Sequence, residues 1–548
     1  MSDVGKPGER RARSGPGGAA EVRGRWLLLG VAALVLVVHT MAYNFVTDDA
    51  YISFVYSRNL AEHGELTFNL GQYVEGYTNF LWTVLLAGFM KLGIEPELSC
   101  RVLALICSLV TLWLVTRIMD RALGRASVWS AVPSLLLACS SGFACWTSGG
   151  LETQLFTMLV VIALDGLTAA VLHPRAILRA GLALALSAMT RPEGLLVAAV
   201  FGLVHVSTMI GRKRLALVDL AGAAVFLVVW APWFYWRYRY YGYPFPNTYY
   251  VKADGPWANP KLEHEMWKNG TYYIWVWLKQ TKLLYVAPLA LLGMVVGRPR
   301  TPRFTLALAL ILVFGAYIPY TISVGGDFMG LHRFVMPLFV AAALAVTLGL
   351  EWLVGLFAAT AAPRVAAAAV LVLGFAATQA LLTRESLRWG NFANDRGIDT
   401  PAFLIVYTED RAAIGRAMAG CFEDDDFSIV GGAGAQPYFA RMRGIDVFGL
   451  VSERIAHEEP RIRARAGHTK FATERLLAEY DPTFVFSCYS IHGKPNPASP
   501  PQLPCAGFWK ARGYEQATMF VPQMRQQGTY YTFLVKKTRK FECPGLVL

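Results

Sequence analysis

Two adjacent carboxylates, Asp48 and Asp49, directly follow an apolar run at residues 26–46. A run of about 20 apolar residues is long enough to cross a bilayer, so the pair lies at the edge of a membrane. A charge close to hydrocarbon is costly and marks a functional site by default. The pair has three interpretations: a cap for the following helix "AYISFVYSRNLA", a metal or proton site, or the catalytic acid and base of a membrane enzyme.

Further ionisable and aromatic residues stand at the ends of other apolar runs, on the same expected side of the membrane. The motif "MTRPEGLL" is the most informative, because the run before it has about 15 residues and reaches only about 22 Å as a helix. Its charges are therefore expected below the membrane surface, lining a wet or protein-walled cavity. The full set is Glu75, Tyr77, Glu152, Arg191, Glu193, Tyr249, Lys252, Asp327, His332 and Arg333.

These residue types suit one chemistry, the transfer of a sugar from a lipid phosphate. Arginine binds phosphate oxygens through two N–H groups, and a carboxylate accepts the proton of an attacking hydroxyl. Asp48 or Asp49 would also be the ligands of a divalent cation, Mg²⁺, Mn²⁺ or Ca²⁺, and no other cofactor is indicated. Structural interpretations stand beside this one: helix caps and first-turn acids, a snorkelling arginine, and a belt of interfacial aromatics.

The composition indicates a membrane protein. Of 548 residues, 55% are hydrophobic and 16% are charged, against about 25% charged residues in an average soluble chain. The net charge of +13 does not indicate nucleic-acid binding, because lysine and arginine cluster in short loops between apolar runs, as the positive-inside rule describes.

Eleven membrane spans are predicted from apolar length and flanking basic residues. Five basic loops fall on one side at every second crossing, in phase with a basic cytoplasmic tail at residues 1–25. A shorter apolar segment, residues 79–93, would break this phase and is expected to be an interfacial or re-entrant helix within the first outer loop, residues 47–100. The predicted spans are 26–46, 101–116, 128–147, 152–172, 176–190, 194–210, 215–236, 283–297, 303–323, 334–357 and 364–383.

The chain therefore divides into a membrane domain, residues 26–383, and a C-terminal domain, residues 384–548, placed outside the cytoplasm. The second part is charged and rich in turns, and short apolar runs at 427–432, 445–450 and 482–487 predict strands between helices. It holds four of the eight cysteines, which allow up to two disulfides in three pairings. These are Cys421, Cys488, Cys505 and Cys543.

Several motifs resemble bacterial GT-C membrane glycosyltransferases, and among them the family of mycobacterial terminal β-(1→2)-arabinofuranosyltransferases. The segment "DDAY … EGYTNFLW" is the specific one, and "GLET", "TRPEG", "YPFPNTYYVK" and "GGDFMGLHRF" follow in the same order. The C-terminal "GGAGAQPYFARMRGIDVFGLVSERIA" resembles a periplasmic segment that follows the bundle in such proteins. The resemblance covers residues from about 26 to 490.

The resemblance implies a GT-C fold in the bacterial inner membrane, a decaprenyl-phosphate arabinose donor and a cell-envelope arabinan acceptor such as arabinogalactan or lipoarabinomannan. It places the functional acid at Asp48 or Asp49, with Asp48 favoured, and substitution of either by Asn is expected to abolish transfer. Arg191, His332 and Arg333 would contact the donor phosphate. The pocket for sugar and acceptor would be formed by Glu75, Tyr77, Glu152, Glu193, Tyr249, Lys252 and Asp327.

Two other functions and one point of chemistry stay open at the level of the sequence. The first alternative is a GT-C enzyme that uses a different lipid-linked sugar or a protein acceptor. The second is a transporter of lipid-linked glycans. A transporter predicts internal repeats and charges distributed through the membrane, and the sequence has neither. Base-assisted direct displacement inverts the anomeric carbon, whereas a β product from a β-linked donor requires retention, and both outcomes remain open.

Overall fold

The structure is a computed structural model that describes residues 16–212, 216–295, 300–358, 360–390, 393, 396–494, 501–526 and 528–547. Within these described residues, sixteen α-helices precede the C-terminal region. They are α1 (Pro16–Tyr43), α2 (Asp48–His63), α3 (Phe80–Lys91), α4 (Pro96–Leu123), α5 (Val132–Cys139), α6 (Ser141–Ser148), α7 (Thr153–Ala170), α8 (Ala176–Thr190), α9 (Glu193–Arg212), α10 (Leu217–Tyr241), α11 (Asn247–Lys252), α12 (Lys261–Gln280), α13 (Leu283–Val295), α14 (Pro302–Ser323), α15 (Met336–Phe357) and α16 (Ala361–Ser386).

Each of the eleven predicted spans corresponds to an apolar helix or helix pair. Eight helices in the described part of the chain are long and apolar enough to cross a membrane, or nine if the bent pair α5–α6 is counted as one span. The shorter helices α8 and α13 match the remaining two predictions. The chain is thus a polytopic helical membrane protein. The first fifteen residues of the predicted tail 1–25, and parts of the basic loops 211–214 and 297–303, lie outside the described residues.

One predicted span, residues 128–147, is not a continuous helix. It consists of a short 3₁₀ turn, α5 and α6, and the last two are bent by 63°. Ser140 lies at the break, and its hydroxyl accepts a hydrogen bond from the backbone N–H of Phe143, which caps α6. A serine cap satisfies the free N–H groups of a new helix start. The bend directs α6 toward the "SGGLET" turn at the site.

The predicted interfacial segment 79–93 forms α3, whose 12 residues span about 18 Å and fall short of a membrane thickness. It packs along α2, where the Ser57 hydroxyl donates to the carbonyl of Thr83 at 2.8 Å. The indole of Trp82 donates to the carbonyl of Gly150 at 3.1 Å. The first contact holds α3 to α2, and the second holds α3 to the turn between α6 and α7.

The C-terminal domain is a mixed α/β unit. Its helices are α17 (Pro401–Ala417), α18 (Ala435–Ala440), α19 (Glu453–Glu458), α20 (Glu474–Ala478) and α21 (Ala506–Lys510), and its strands are β1 (Ser428–Val430), β2 (Gly444–Asp446), β3 (Phe484–His492), β4 (Tyr514–Phe520) and β5 (Tyr530–Lys536). The strand order is β2-β1-β3-β5-β4, parallel across the first three and antiparallel across the last three.

Two hydrophobic clusters cover the two faces of this sheet, as the alternation of side chains along a strand requires. Phe484 and Phe486 contribute to one cluster with Ile414, whereas Val485 contributes to the other with Trp509. The predicted strands at 427–432, 445–450 and 482–487 correspond to β1, β2 and β3, although β2 ends at Asp446. The domain therefore has a core on each face of its sheet.

Two disulfides close this domain, Cys421–Cys543 and Cys488–Cys505. The first bond joins residues 122 positions apart and the second joins residues 17 positions apart. Of the three pairings open at the sequence level, the structure has this one. The first bond ties the end of the chain to the segment that follows α17.

Removing the long-range disulfide is expected to destabilise the protein more than removing the short-range one. On the chain-entropy account, replacing both Cys421 and Cys543 by Ala costs about 5 kcal/mol of unfolding free energy, and replacing Cys488 and Cys505 costs about 3 kcal/mol. Denaturant unfolding of the purified full chain, followed by its tryptophan fluorescence, measures both. A larger loss for the short loop would contradict this account.

The C-terminal domain is held to the membrane domain by buried hydrogen bonds rather than by a linker alone. Asn69 exchanges two hydrogen bonds with the backbone of Gly444, at 2.9 and 3.0 Å. Asn247 donates to the carbonyl of Gly449 at 2.8 Å. The main hydrophobic core also includes Ala435 and Val451. The two parts therefore share a packed interface, and the site lies beside it.

Candidate active site

A cavity of about 240 Å³ lies at the end of the bundle, beneath the C-terminal domain. Its wall combines the first loop, the turns after α6, α8 and α14, and the segment around α11. Nine of the twelve residues predicted from the sequence line it, which are Asp49, Tyr77, Glu152, Arg191, Glu193, Tyr249, Lys252, Asp327 and Arg333.

The "TRPEG" turn places a buried cation in this wall. Helix α8 ends at Thr190 and α9 begins at Glu193, so the charges lie between two short helix ends. Arg191 donates to Glu152 at 2.7 Å and to both carboxylate oxygens of Glu193 at 3.2 Å. The Tyr320 hydroxyl also donates to Glu193, at 3.4 Å. A buried arginine needs such partners, because an unpaired buried charge costs several kcal/mol.

The glycine-rich loop before α15 places a second cation. Gly325 and Gly326 have positive φ angles of 80° and 77°, which L-residues with side chains rarely adopt. A Cβ on Gly326 would also collide with the ring of Tyr273. This backbone lets Arg333 fold back on its own loop, where its Nε donates to Asp327 at 2.6 Å.

Of the two adjacent aspartates, Asp49 is the one that lines the cavity. Its side chain is 34% exposed, and its Oδ2 lies 4.0 Å from Nη2 of Arg333. The Lys252 side chain lies in the same cavity wall and interacts electrostatically with Asp49. Among the described residues, Lys252 forms no ion pair within 4.0 Å, in contrast to Arg191 and Arg333. The cavity wall therefore contains both the Asp49 carboxylate and the Lys252 ammonium, which has no ion-pair partner within 4.0 Å among the described residues.

Burial shifts the pKa values of these two groups toward their neutral forms. The pKa of Asp49 is raised, chiefly by burial, while the charges of Arg333 and Lys252 oppose the rise. The pKa of Lys252 is lowered, again chiefly by burial, and the charge of Asp49 opposes that change. A carboxylate with a raised pKa is a better proton acceptor than an ordinary one.

Asp48 does not line the cavity. Its Oδ1 accepts a hydrogen bond from the backbone N–H of Ala435 at 2.8 Å, at the start of α18, and its carboxylate packs against Gly434. Burial raises the pKa of Asp48 to about 6, although the Ala435 N–H lowers it. The cap position of α2 is occupied by Thr47, which makes no side-chain cap hydrogen bond, and Asp48 is the first residue of the helix. The Asp48 side chain therefore does not cap α2, which was one of the interpretations of the sequence. Asp48 instead contacts the C-terminal domain.

His332 and Glu75 also lie outside the cavity wall. His332 is buried, shares a hydrogen bond with Gln280 at 2.8 Å and stands edge-on to the ring of Tyr273. Glu75 is buried in an ion pair with Arg237 at 2.9 Å. Neither side chain reaches the position that the sequence resemblance implied for it.

The Glu75–Arg237 pair anchors the aromatic loop that precedes α11. Arg237 also donates to the carbonyls of Tyr243 and Pro244. The backbone N–H of Asn247 donates to the carbonyl of Glu75 at 3.0 Å. The pair thus joins the first loop to the segment that carries Tyr249 and Lys252.

We expect Glu75→Gln to cost about 3–5 kcal/mol of stability, because it leaves the buried Arg237 charge without its partner. The measurement is the thermal unfolding midpoint in detergent. The double variant Glu75→Gln with Arg237→Met is the control, since it removes both charges and should recover part of the loss. A midpoint for Glu75→Gln equal to that of the native chain would contradict the anchoring role.

Several residues in the wall were missed in the sequence analysis. Asn79 donates to Glu152 at 2.9 Å and stands inside the motif "EGYTNFLW", which offered a signal. Leu450 and Gly467 come from the C-terminal domain, and no local pattern marks them. Phe328 enters the wall through a backbone pairing, in which its carbonyl accepts from the N–H of Asp399 at 2.7 Å.

The two aspartates do not converge on one point, because Asp48 contacts Ala435 while Asp49 faces Arg333 and Lys252. In the described residues, no group of three or more His, Cys, Asp or Glu side chains is arranged to hold a metal ion. Asp48 and Asp49 therefore do not share one ligand position, and a divalent cation held by either of them stays a prediction from the sequence.

The helical bundle, the interfacial first loop and the following α/β domain define a GT-C fold. The chain is similar to ArnT from Cupriavidus metallidurans in the apo state, with a TM-score of 0.54 and 14% identity over 94% of this chain and 98% of ArnT. The structure of ArnT bound to undecaprenyl phosphate is similar at a TM-score of 0.52 and 15% identity, over 77% of this chain and 85% of ArnT.

A weaker similarity, with a TM-score of 0.35, connects 65% of this chain to 34% of the arabinosyltransferase EmbB from Mycobacterium smegmatis at 16% identity. It is too weak to support a statement about function. No protein-family model matches the sequence, and no curated protein matches it.

Proposed function

We propose that the protein is a membrane glycosyltransferase that takes a sugar from a polyprenyl phosphate. The sugar proposed is arabinofuranose, carried by decaprenyl phosphate and transferred to the terminus of an envelope arabinan such as arabinogalactan or lipoarabinomannan. The observation that carries the proposal is the cavity whose wall holds the Asp49 carboxylate, the Lys252 ammonium and the Arg333 guanidinium, the last of these 4.0 Å from Asp49. Glycosyl transfer from a phosphate needs a base and cations in this arrangement.

In the proposed reaction, an acceptor hydroxyl attacks the anomeric carbon of the donor. The bond between that carbon and the phosphate oxygen breaks, and the polyprenyl phosphate leaves with the electron pair. Asp49 accepts the proton of the hydroxyl. Lys252 stabilises the charge that develops on the phosphate, because Arg191 is already paired with two carboxylates and Arg333 with Asp327.

Two further features support a lipid-linked sugar as the donor. The structure of ArnT that resembles this chain holds undecaprenyl phosphate, which is a polyprenyl phosphate. Tyr77 and Tyr249 stand in the cavity wall, and aromatic rings of this kind present apolar faces on which a sugar ring can pack.

We propose that the cavity and the C-terminal domain lie on the extracytoplasmic side of a bacterial inner membrane. The basic loops between spans support this orientation. The two disulfides of the C-terminal domain also support it, because such bonds persist in oxidising compartments.

The test is transfer by the purified protein from radiolabelled polyprenyl-phosphate arabinose and, in parallel, polyprenyl-phosphate mannose, to a synthetic arabinan acceptor. Label from the arabinose donor is expected in the acceptor, and the Asp49→Asn variant serves as the inactive control. Transfer of mannose alone would support the glycosyltransferase activity but overturn the assignment of arabinose as the sugar. Failure with both donors and with a protein acceptor would overturn the proposed function.

A further inference from the structure

A second polar cleft, of about 280 Å³, lies where the membrane domain meets the C-terminal domain, apart from the candidate active site. Asn44 and Arg101 form its floor from the membrane domain, and Glu409, Arg416 and Arg525 form its roof from the C-terminal domain. Three arginines stand against one glutamate in this cleft. It is therefore positively charged.

The arginines of the cleft keep N–H groups available for an anion. Arg101 donates to Asn44 at 3.0 Å, and its buried Nε has no hydrogen-bond partner among the described residues. The Arg416 guanidinium stacks on the ring of Phe439 at 3.9 Å. Stacking occupies a face of the guanidinium and leaves its edge free to donate to phosphate oxygens. Among the described residues, only Arg525 is paired with the acid of the cleft, Glu409, at 2.8 Å.

The cleft is placed at the level of lipid headgroups. Asn44 is the first residue after α1, and Arg101 stands in the second turn of α4, so both mark the end of a membrane span. The same two helices expose apolar side chains along their lengths. On α1 these are Leu34, Val38 and Met41, at 64%, 60% and 72% exposure, and on α4 they are Val102 and Ile106, at 48% and 51%.

We propose that this cleft binds the phosphate of an anionic phospholipid, whose acyl chains lie along the exposed apolar surfaces of α1 and α4. The headgroup phosphate accepts hydrogen bonds from Arg101 and Arg416 and thereby bridges the membrane domain and the C-terminal domain. Charge complementarity favours an anionic lipid over a zwitterionic one. The site does not depend on the proposed sugar transfer, because it takes its residues from a different cavity.

The bridging lipid would stabilise the interface beside the active site. The cleft wall continues through Phe45 and Val46 to Thr47 and Asp48, and Asp48 accepts from Ala435 of the C-terminal domain. A ligand that binds the folded protein raises its unfolding temperature by mass action. Anionic lipid is therefore expected to stabilise the docked C-terminal domain.

The test compares the thermal unfolding midpoint of the full chain in detergent with added phosphatidylglycerol, phosphatidylcholine or inorganic phosphate. We expect phosphatidylglycerol to raise the midpoint by about 5 °C and the other two additives to leave it unchanged. The double variant Arg101→Gln with Arg416→Gln should lose this rise. The matched control is Arg441→Gln, since Arg441 is 66% exposed and pairs with Glu62 outside the cleft.

A rise of equal size with phosphatidylcholine, or in the double variant, would overturn the proposal. A full rise with inorganic phosphate alone would overturn the lipid assignment and leave a free-phosphate site. If the double variant unfolds below the native midpoint in phosphatidylcholine, the single variant Arg416→Gln replaces it, because Arg416 is exposed at the surface. An unreduced rise in that variant would also count against the proposal.

Discussion

Replacing Asp49 by Asn is expected to lower kcat for sugar transfer by about 10²–10⁴-fold, the usual contribution of a positioned general base. Asn has nearly the same shape but does not accept the proton of an attacking hydroxyl. Asp49 lines the cavity, 4.0 Å from Arg333, whereas Glu152, Glu193 and Asp327 accept hydrogen bonds from arginines. The measurement is the single-turnover rate with a polyprenyl-phosphate sugar, combined with a thermal unfolding midpoint that shows the variant is folded.

Asp48→Asn is the matched control for this prediction. The amide oxygen of Asn keeps the hydrogen bond from the N–H of Ala435, and the side chain stands outside the cavity wall. We therefore expect transfer at a rate within about tenfold of the native rate, since a cost in packing alone does not remove a catalytic group. The reverse result, with Asp49→Asn active and Asp48→Asn inactive, would move the base to Asp48.

The pH profile gives an independent check on the same residue. A base acts only when it is deprotonated, so kcat falls as the pH drops through its pKa. Burial raises the pKa of Asp49 above its ordinary value of 3.8, and the acid limb is therefore expected above pH 3.8. Because the charge of Lys252 lowers this pKa, Lys252→Gln should move the limb to higher pH. If the acid limb of the pH profile does not move in Lys252→Gln, the charge of Lys252 does not influence the pKa of Asp49.

The second large effect is expected for Lys252→Gln, with a loss of about 10²–10³-fold in kcat/KM, as for the removal of a charge that stabilises a leaving group. Lys252 lines the cavity, and none of the described residues pairs with it in an ion pair. The substitution should lower kcat/KM for the lipid-phosphate donor more than it weakens the binding of the neutral acceptor. Steady-state kinetics with varied donor and fixed acceptor measure it.

Lys261→Gln is the control for the loss of one positive charge, because Lys261 is exposed at the start of α12 and lies outside the cavity wall. Its activity should equal that of the native chain. Lys252→Arg should recover part of the loss, since it restores the charge but not the reach of the ammonium. Equal kinetics for Lys252→Gln and Lys261→Gln would remove Lys252 from the donor site.

The membrane architecture was predictable from the sequence because a span is a local property. A helix rises 1.5 Å per residue, so the length of each apolar run determines whether it crosses hydrocarbon. All eleven predicted spans meet an apolar helix or helix pair, including the short α8 before "TRPEG". The concentration of charges at one end of the bundle follows from the same pattern, since charges within the apolar runs would be costly.

The different surroundings of residues that are adjacent in the chain could not be predicted from the sequence. Asp48 and Asp49 open the same helix, where successive side chains point about 100° apart. One therefore faces the cavity and the other faces α18, and only the position of α18 decides which. Similarly, His332 follows the "GGDFMG" turn in the chain, but its backbone is left-handed and its side chain contacts Gln280 instead of lining the cavity.

The amino-acid sequence by itself thus determined the spans, the apolar boundaries and nine of the residues that line one cavity. Tertiary structure alone decided the break at Ser140, the cysteine pairing, the entry of Leu450 and Gly467 into the cavity wall, and the separate surroundings of the two aspartates. The physical reason is distance along the chain. Asp48 meets Ala435 across 387 positions, and no local pattern of hydrophobicity or charge encodes a contact between segments so far apart.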